Sequence, residues 1–354
     1  MQLPHASLIA DDRPSARQYL LQVNAEFHYY TIGYLARAAG FSDDEASVLA
    51  YSSQYLDNAL VCYEVAHRRG TYRTLVTHHF GFWDQEQEWA VWIPFHFYPA
   101  ANTVASPPRR DDRTNPLDVQ PNSIPAKQML IGALRSRNLY RIGIALHTYA
   151  DTWAHRNFSG RNESWNRIDD DSPVPPIGHA QARRDPDAVD AVWHDPRLEA
   201  PHDRVDNRER FLLAAGRIYR YLATYNRRSF ADEALVIARL DDILGPAEYA
   251  RDSRAENFII ECSIERFSRL RWRKEAFDPP AGWSETAFEV ELESTVDKLS
   301  WLKDELLHRS KVVRRRPMVA KETFFASHLY RWDQAARSHL AACREQLTAL
   351  GLRR

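Results

Sequence analysis

The sequence predicts an all-α protein, a large multi-helix domain interrupted by irregular aromatic-rich and proline-rich insertions. Glycine is scarce, with 12 residues in a chain of 354, whereas Trp, Tyr and Phe number 10, 16 and 15. Few glycines and many large aromatic side chains favour broad helical packing surfaces over a β fold rich in turns. After Asp206, apolar residues also recur at spacings of three and four almost to the end of the chain, which is typical of amphipathic helices.

The first predicted elements are two helices between Glu26 and Ala66 that meet at Gly40. Glycine commonly follows the last turn of a helix, because it adopts the left-handed conformation without strain. Ser42, with Glu45 three residues later, is the signature of a capping box at the start of the second helix.

The chain after the second helix is predicted to be irregular. The stretch "HHFGFWDQEQEWAVWIPFHFYPA" is dense in aromatics and has room for short extended segments, and residues 101–125 have the proline-rich, charged composition of an exposed loop. A long helix is predicted from about Ala126 to Asn157, followed by a loop whose prolines forbid a continuous helix. With no internal repeat and no clean linker, residues 1–354 are predicted to form a single mostly helical domain.

The composition excludes several classes of protein. A formal net charge of −1 creates no overall field that would require nucleic acid or an anionic membrane as a partner. The three cysteines lie far apart, so neither a disulfide framework nor a thiolate zinc site is predicted. Because no signal peptide and no run of roughly 18 apolar residues is present, we predict a soluble cytoplasmic protein without a transmembrane segment. Phosphate-loop, dinucleotide-binding and serine-hydrolase motifs are also absent from the sequence.

One segment, "RIGIALHTYADTWAHRNFSG", carries a regular pattern of metal-ligand residue types. His147, Asp151 and His155 lie four residues apart on the predicted helix, and each such step advances about 400°, so the three side chains share a face. Imidazole and carboxylate are the ligands expected for zinc or another borderline divalent ion, and the two oxygens of an aspartate can bridge two ions.

A second interpretation of this pattern is structural: the two histidines would be satisfied polar residues beside a core stripe of Ile142, Leu146, Tyr149 and Trp153. The metal interpretation gains support from other residues of the same types that lie in aromatic or small-residue contexts. Together they offer more ligands than one ion can use, and they are His28, Asp57, His78, His79, His96 and His179.

This supply of ligands suits the hydrolysis of a phosphodiester. Two or three divalent ions convert bound water into hydroxide, hold the phosphoryl oxygens and stabilise the leaving oxygen. We therefore expect a metal-dependent hydrolase whose substrate is a nucleic acid, a nucleotide or a phospholipid. The alternative is a non-catalytic interaction or scaffold protein that retains a structural metal ion.

Several segments resemble a bacterial family of unknown function that is itself similar to the zinc-dependent phospholipase C and single-strand-specific nuclease superfamily. The resemblance rests on "EFHYYTIGYLARAAGFSDDEASVLAYSSQYLDNA", "HHFGFWD", "WIPFHFYP", "ALHTYADTWAHRNFSG" and "PPIGHA" followed by "DPD". It implies an all-α fold of zinc-dependent phospholipase C and nuclease type, two or three zinc ions, and a zinc-bound hydroxide. Residues 26–190 would then carry the ligands, and 206–354 would form C-terminal packing helices.

The resemblance also assigns ligands residue by residue. His147 and Asp151 match the HxxxD helix of the superfamily, whose Asp bridges two ions. His28 resembles its early ligand His, and Asp57 resembles the Asp that precedes the HxxxD helix. Asp57 and Asp151 are the residues expected to act in catalysis.

The remaining histidine ligands match the superfamily less closely. The ligand between His28 and the HxxxD helix would be His78 or His79, with His96 as a second candidate. His155 and His179 would hold the remaining ion, although the superfamily usually places more residues between its bridging Asp and the next His.

Two further positions depart from the superfamily. Its last acidic ligand follows its His by one helical turn, but here Arg183 occupies that position and the nearest carboxylates are Asp185 and Asp187. Its exported members bind one ion through a processed N-terminal residue, whereas here a longer leader precedes the first ligand. Glu26 is a candidate replacement, and a solvated glutamate at a helix start is the competing interpretation.

Residues just after the ligand helix are candidates for binding the substrate. Arg156, Asn157 and Arg161 could contact a substrate phosphate, because a guanidinium group grips two phosphate oxygens at once. They could equally serve as capping and salt-bridge residues. The expected partner is therefore a phosphodiester, either nucleic acid or phospholipid, while protein partners stay open.

Overall fold

Helices form most of the structure, a computed structural model that describes residues 25–68, 70–78, 85–293 and 315–352. The α-helices of at least six residues are, in chain order, α1 (Ile32–Ala38), α2 (Asp43–Asn58), α3 (Ile124–Arg135), α4 (Leu139–Ala154), α5 (Asn207–Tyr225), α6 (Glu233–Leu244), α7 (Arg251–Cys262), α8 (Arg271–Ala276), α9 (Glu285–Glu293) and α10 (His328–Ala349). Other helical turns, of three to six residues, lie at Glu26–Thr31, Gln85–Gln87, Glu88–Trp92, Ile93–Phe95, Ser164–Asn166, Ala180–Ala182, Asp185–Asp187 and Phe324–Ala326. Of the described helices, none has the length and apolar character needed to cross a membrane.

Two β-sheets show that the all-α prediction is wrong. The strands are β1 (Cys62–His67), β2 (Gly70–Arg73), β3 (Val192–His194), β4 (Arg204–Asp206), β5 (Phe277–Asp278) and β6 (Arg315–Ala320). A four-stranded sheet has the order β2-β1-β6-β5, and β3 pairs with β4 in a separate antiparallel sheet. Within the larger sheet β1 and β6 are parallel, while the β1–β2 and β5–β6 pairs are antiparallel.

The all-α prediction failed because the larger sheet depends on long-range pairing. Cys62 pairs with Arg315 and Val65 with Met318, so the two central strands come from opposite ends of the chain. The charged segment Arg315–Ala320 shows no strand pattern strong enough to stand out locally. Its exposure alternates along the strand only because its backbone is paired with β1 on one side and β5 on the other.

The predicted capping box at the start of α2 is confirmed. The Ser42 backbone N–H donates to Glu45 Oε2 at 3.0 Å, and the Glu45 N–H donates to Ser42 Oγ at 3.3 Å. Gly40 has a φ of 86° and ends the preceding helix in the left-handed conformation, as predicted. The helix that starts here places Asp57 in its last turn.

The helix predicted from about Ala126 to Asn157 is in fact two helices, α3 and α4. Arg137 has a φ of 53°, which breaks the helical backbone, and the Asn138 side chain accepts hydrogen bonds from two backbone N–H groups of the first turn of α4. A short polar side chain at this position caps a helix better than it continues one. The helix that carries His147 and Asp151 therefore begins at its own cap.

Helices α2 and α4 lie unusually close together at the centre of the molecule. A Cβ atom built on Gly143 of α4 would lie 2.5 Å from the Leu49 carbonyl oxygen and 2.6 Å from Ser52 Cβ of α2. The missing side chain thus permits the close approach. The core around both helices is one hydrophobic cluster with members from Ala25 to Leu347.

Candidate metal centre

Three aspartates and six histidines meet in the interior of the structure. Their ligand atoms form four groups in which all atoms lie within 4.8 Å of one another: His28, Asp57 and His147; Asp57, His78 and His96; His96, His147 and Asp151; and His155, His179 and Asp187. We call these nine residues the histidine–aspartate cluster. The first three groups share members, so they form one connected set.

Secondary structure brings the members of the cluster together from distant parts of the chain. His28 lies on the π-helical turn Glu26–Thr31, which leads into α1, and Asp57 lies near the end of α2. His147 and Asp151 are one turn apart on α4, and His155 is the C-cap of that helix. The remaining members come from loops and short turns.

Asp151 lies at the centre of the cluster. Its Oδ1 atom is 3.1 Å from His28 Nε2, while its Oδ2 atom is 3.2 Å from His147 Nε2 and 3.3 Å from His96 Nδ1. His155 Nδ1 is also 3.7 Å from Oδ2. Both oxygens of this carboxylate therefore face imidazole nitrogens, on two different sides.

Asp57 faces a second set of imidazoles. Its Oδ1 atom lies 3.6 Å from His147 Nε2, 3.6 Å from His78 Nδ1 and 3.8 Å from His96 Nδ1. The Gln54 side chain, one turn earlier on α2, donates to the other oxygen at 3.4 Å. This contact orients the carboxylate toward the histidines.

Asp187 forms the third part of the cluster. His155 Nε2 lies 3.2 Å from its Oδ1 atom and His179 Nε2 lies 3.4 Å from its Oδ2 atom. The two imidazole rings are stacked, with centroids 4.7 Å apart. Asp187 thus presents one oxygen to each histidine.

Backbone carbonyls fix the orientation of three of the imidazole rings. His96 Nε2 donates to the Thr77 carbonyl at 2.8 Å, His155 Nδ1 to the His96 carbonyl at 2.7 Å, and His179 Nδ1 to the Arg183 carbonyl at 3.1 Å. A carbonyl only accepts, so the donating nitrogen carries the proton and the other nitrogen is left to face the carboxylates. This is the outer-shell arrangement that metal-binding histidines usually have.

The carboxyl groups of the cluster are held in their charged form. Burial raises the pKa of Asp151, but the nearby His147 and His155 outweigh it and hold the pKa well below its ordinary value. Burial is likewise outweighed at Asp57, where His147 has the largest opposing effect and the pKa is lowered. His179 and His155 similarly bring the pKa of Asp187 down to about 2.

The two histidines that face Asp187 have pKa values shifted in opposite directions. Burial lowers the pKa of His155, but the Asp151 and Asp187 carboxylates outweigh it and raise the pKa to about 9. At His179 burial dominates and the pKa is lowered, so the ring is neutral at pH 7. Its Nδ1 proton is donated to a carbonyl, so its Nε2 lone pair faces a carboxylate oxygen. Two acceptors at this distance repel each other unless a cation lies between them.

The structure brings together all the predicted metal ligands that it describes, whereas His79 lies outside the described residues. The sequence left two candidates, Asp185 and Asp187, for the last acidic ligand. Asp187 belongs to the cluster, whereas Asp185 is exposed to solvent. Glu26 is buried but points elsewhere, because one of its oxygens pairs with Arg254 Nη1 at 3.2 Å.

The three predicted substrate-binding residues have different surroundings. Asn157 is buried and accepts a hydrogen bond from Gln120 at 2.9 Å, and Arg161 forms an ion pair with Glu88 at 3.0 Å. Arg156 is half-buried and donates one hydrogen bond, at 3.2 Å, to Gln120. Only Arg156 thus keeps most of its donors uncommitted within the described part of the chain.

Sequence reasoning missed two residues that support the cluster. Gln54 lies three residues before Asp57 on the same helix, so helical spacing could have placed both side chains on one face. Thr77 contributes only its backbone carbonyl, for which residue type carries no signal.

Residues 23–347 match a protein family described as "Family of unknown function (DUF6765)". The chain belongs to this family. The predicted membership of a family of unknown function is therefore confirmed, but the description names no activity. Neither the curated proteins nor the solved structures contain a match to the chain. The geometry of the cluster is consequently the basis on which a function can be argued.

Proposed function

We propose that this protein is a metal-dependent hydrolase of phosphodiesters, with the histidine–aspartate cluster holding two or three divalent ions. The observation that carries the proposal is the spacing of the ligand atoms. Two ligand atoms about 2.1 Å from a tetrahedral zinc ion lie about 3.4 Å apart. In the cluster, the carboxylate oxygens lie between 3.1 and 3.8 Å from the facing histidine nitrogens.

The donor set supports zinc or an ion with similar preferences. It consists of imidazole nitrogens and carboxylate oxygens, without the thiolates that mark many structural zinc sites. Asp151 would bridge two ions, because its two oxygens face different histidines, and Asp57 would share one of these ions. His155, His179 and Asp187 would hold a further ion.

The exposure of the cluster favours a catalytic over a purely structural role. His147 and Asp151 have side-chain exposures of 0% and 2%, whereas those of His179 and Asp187 are 19% and 14%. One end of the cluster is therefore accessible to a substrate, and the other is fixed in the core. A catalytic metal site needs this combination of rigid ligands and an open position.

Bound divalent ions would lower the pKa of a water molecule and offset charge that develops on the phosphoryl oxygens. The protein residues would hold and orient these ions, and Asp57 and Asp151 would act in catalysis as their ligands. The resemblance to zinc-dependent phospholipases C and single-strand-specific nucleases supports the same chemistry, although it does not choose between lipid and nucleic acid.

Elemental analysis combined with activity measurements tests the proposal. Purified protein should contain divalent metal in near-integer amounts and cleave bis(p-nitrophenyl) phosphate, single-stranded DNA or RNA, or phospholipid, with loss of cleavage after chelation. Asp151→Ala should remove at least one ion, whereas Asp118→Asn, a buried carboxylate outside the cluster, should keep the full content. Full metal content in Asp151→Ala would refute the ligand assignment. Metal that depends on Asp151 without cleavage of any substrate would support a scaffold protein with a structural ion.

A further inference from the structure

The outward face of α5 carries an apolar residue between two opposite charges. Glu209, Leu213 and Arg217 follow one another at spacings of four residues, so they share one face of the helix. All three are exposed, and the exposed fraction of Leu213 is 58%. The opposite face, which includes Ile218 and Leu222, is buried in the core. We call Glu209, Leu213 and Arg217 the α5 stripe.

The two charges of the α5 stripe are not used within the described part of the chain. Neither the Glu209 carboxylate nor the Arg217 guanidinium group forms an ion pair with a described residue. They also do not pair with each other, because eight residues of helix separate their backbones by about 12 Å. Both charges are therefore available to another molecule.

An apolar groove of about 850 Å³ lies beside the stripe, between α5 and the start of α6. All three residues of the α5 stripe border this groove. Its other apolar lining residues include Leu212, Phe230, Ala234 and Ile237. Phe230 is also exposed, with an exposed fraction of 43%. Exposed apolar surface thus extends from Leu213 into the groove, as is common at sites of protein association.

The order of the charges favours a second copy of the same chain as the partner. A twofold axis that passes by Leu213 reverses the direction of the helix, so position 209 of one copy faces position 217 of the other. Glu209 then lies opposite Arg217 of the partner subunit, and symmetry forms the same pair a second time. In a parallel arrangement of the two helices, like charges would face each other instead.

The same order of charges continues one turn further in each direction. Asp206 lies seven residues before Leu213, and Arg220 lies seven residues after it. Both already have partners in the chain, because Asp206 accepts the backbone N–H of Glu209 at 3.3 Å and Arg220 pairs with Glu233. They nevertheless make one half of the exposed face acidic and the other half basic, which suits an antiparallel copy of itself.

We propose that the α5 stripe and the adjoining groove form the interface of a homodimer with antiparallel α5 helices. Leu213 of each subunit would pack into the groove of the other, and the two pairs of Glu209 with Arg217 would fix the register. The inference goes beyond the proposed function, because this association requires neither a metal ion nor hydrolysis.

Sedimentation velocity of the full chain over a series of concentrations tests the interface. The unmodified chain should show a reversible equilibrium between monomer and dimer. Leu213→Ser should raise the dissociation constant at least about 10-fold, because it removes an apolar contact from both subunits. Leu235→Ser is the matched control and should leave the constant unchanged, since Leu235 is 74% exposed on α6 but does not line the groove.

Charge reversal tests the antiparallel register. Glu209→Arg and Arg217→Glu each bring like charges together in a homodimer, so each variant alone should dimerise roughly 10- to 100-fold more weakly. A mixture of the two variants should form a heterodimer, because a stripe with two positive charges then faces one with two negative charges. The double variant, with both substitutions in one chain, should recover the homodimer. Recovery in either case also shows that the variants are folded.

Two results would overturn the inference. One is an unmodified chain that stays monomeric at every concentration, and native mass spectrometry would then show whether a small molecule occupies the groove instead. The other is a mixture of the two charge variants that associates no more strongly than either variant alone, because the stripe would then not face its own copy.

Discussion

Asp187 serves two histidines at once, which makes it the most informative single residue of the cluster. One oxygen faces His155 and the other faces His179. Asp187→Asn should therefore lower the bound metal by about one ion per chain, because the amide has one oxygen and no charge. Asp185→Asn is the matched control two residues earlier, and it should retain all the metal. Inductively coupled plasma mass spectrometry measures both, and equal losses would exclude Asp187 as a specific ligand.

Asp118 makes stability depend on pH independently of the cluster. Burial raises its pKa from 3.8 to about 6, so ionising this group in the folded state costs about 3 kcal/mol. Between about pH 4 and pH 6 the folded chain binds more protons at this carboxyl than the unfolded chain does. The stability contributed by Asp118 is therefore present below pH 4 and is lost as the pH rises through 6.

The substitution Asp118→Asn tests this dependence. The amide oxygen can still accept from Ser106 and Gln120, so the variant should be about 3 kcal/mol more stable than the unmodified chain at pH 7 and similar to it at pH 4. Urea unfolding in the presence of a chelator measures both values. A stability difference that does not change with pH would contradict this account.

At the scale of elements, the contact between α2 and α4 sets the distance from Asp57 to His147 and Asp151 of α4. Gly143→Ala would introduce a methyl group within 2.6 Å of α2 atoms and force the helices apart. We expect a loss of stability of about 1–3 kcal/mol and weaker metal binding, because overpacking displaces backbone.

The glycine of a neighbouring helix provides the control. A Cβ atom on Gly132 of α3 would have no neighbour within 4 Å. Gly132→Ala should therefore raise stability by about 0.5–1 kcal/mol, because alanine loses less conformational entropy in a helix. Chemical unfolding and metal titration of both variants would decide the matter, and a Gly143→Ala chain as stable as Gly132→Ala would disprove the close-contact argument.

At the scale of the whole molecule, the cluster connects parts of the chain that are far apart in sequence. Its members run from His28 to Asp187 and come from a π-helical turn, two helices and several loops. Bound ions should therefore stabilise the fold, by about 2.7 kcal/mol per site when free ion is a hundredfold above Kd. Calorimetry should show a lower Tm after chelation and recovery after reloading. Asp151→Ala should show little change, and a chelation effect of full size in that variant would count against the cluster.

The sequence predicts a single domain for residues 1–354, and we propose the same domain organisation. Most of the hydrophobic core forms one cluster with members from Ala25 to Leu347, which supports one cooperative unit, and a smaller second cluster consists of Phe97, Val119, Phe158 and Ala182. The predicted division into a ligand-bearing part and C-terminal packing helices is less simple, because β6 of the later part pairs with β1 of the earlier part.

Different parts of the site were predictable to different degrees. The spacing of His147, Asp151 and His155 was readable because helical periodicity relates neighbours within two turns. The choice of Asp187 over Asp185 was not, because it depends on how a proline-containing turn is held by Asn207 of a later helix.

Features that depend on near neighbours could be predicted from the sequence: the capping box of α2, the shared face of His147, Asp151 and His155 on α4, and the residue types of the cluster. The β1–β6 pairing and the partners of each carboxylate in the cluster follow only from the tertiary structure. Capping and the periodicity of side chains relate residues only within one or two helical turns. Strand pairing, burial and charge interactions instead join residues whose separation in sequence carries no information about their separation in space.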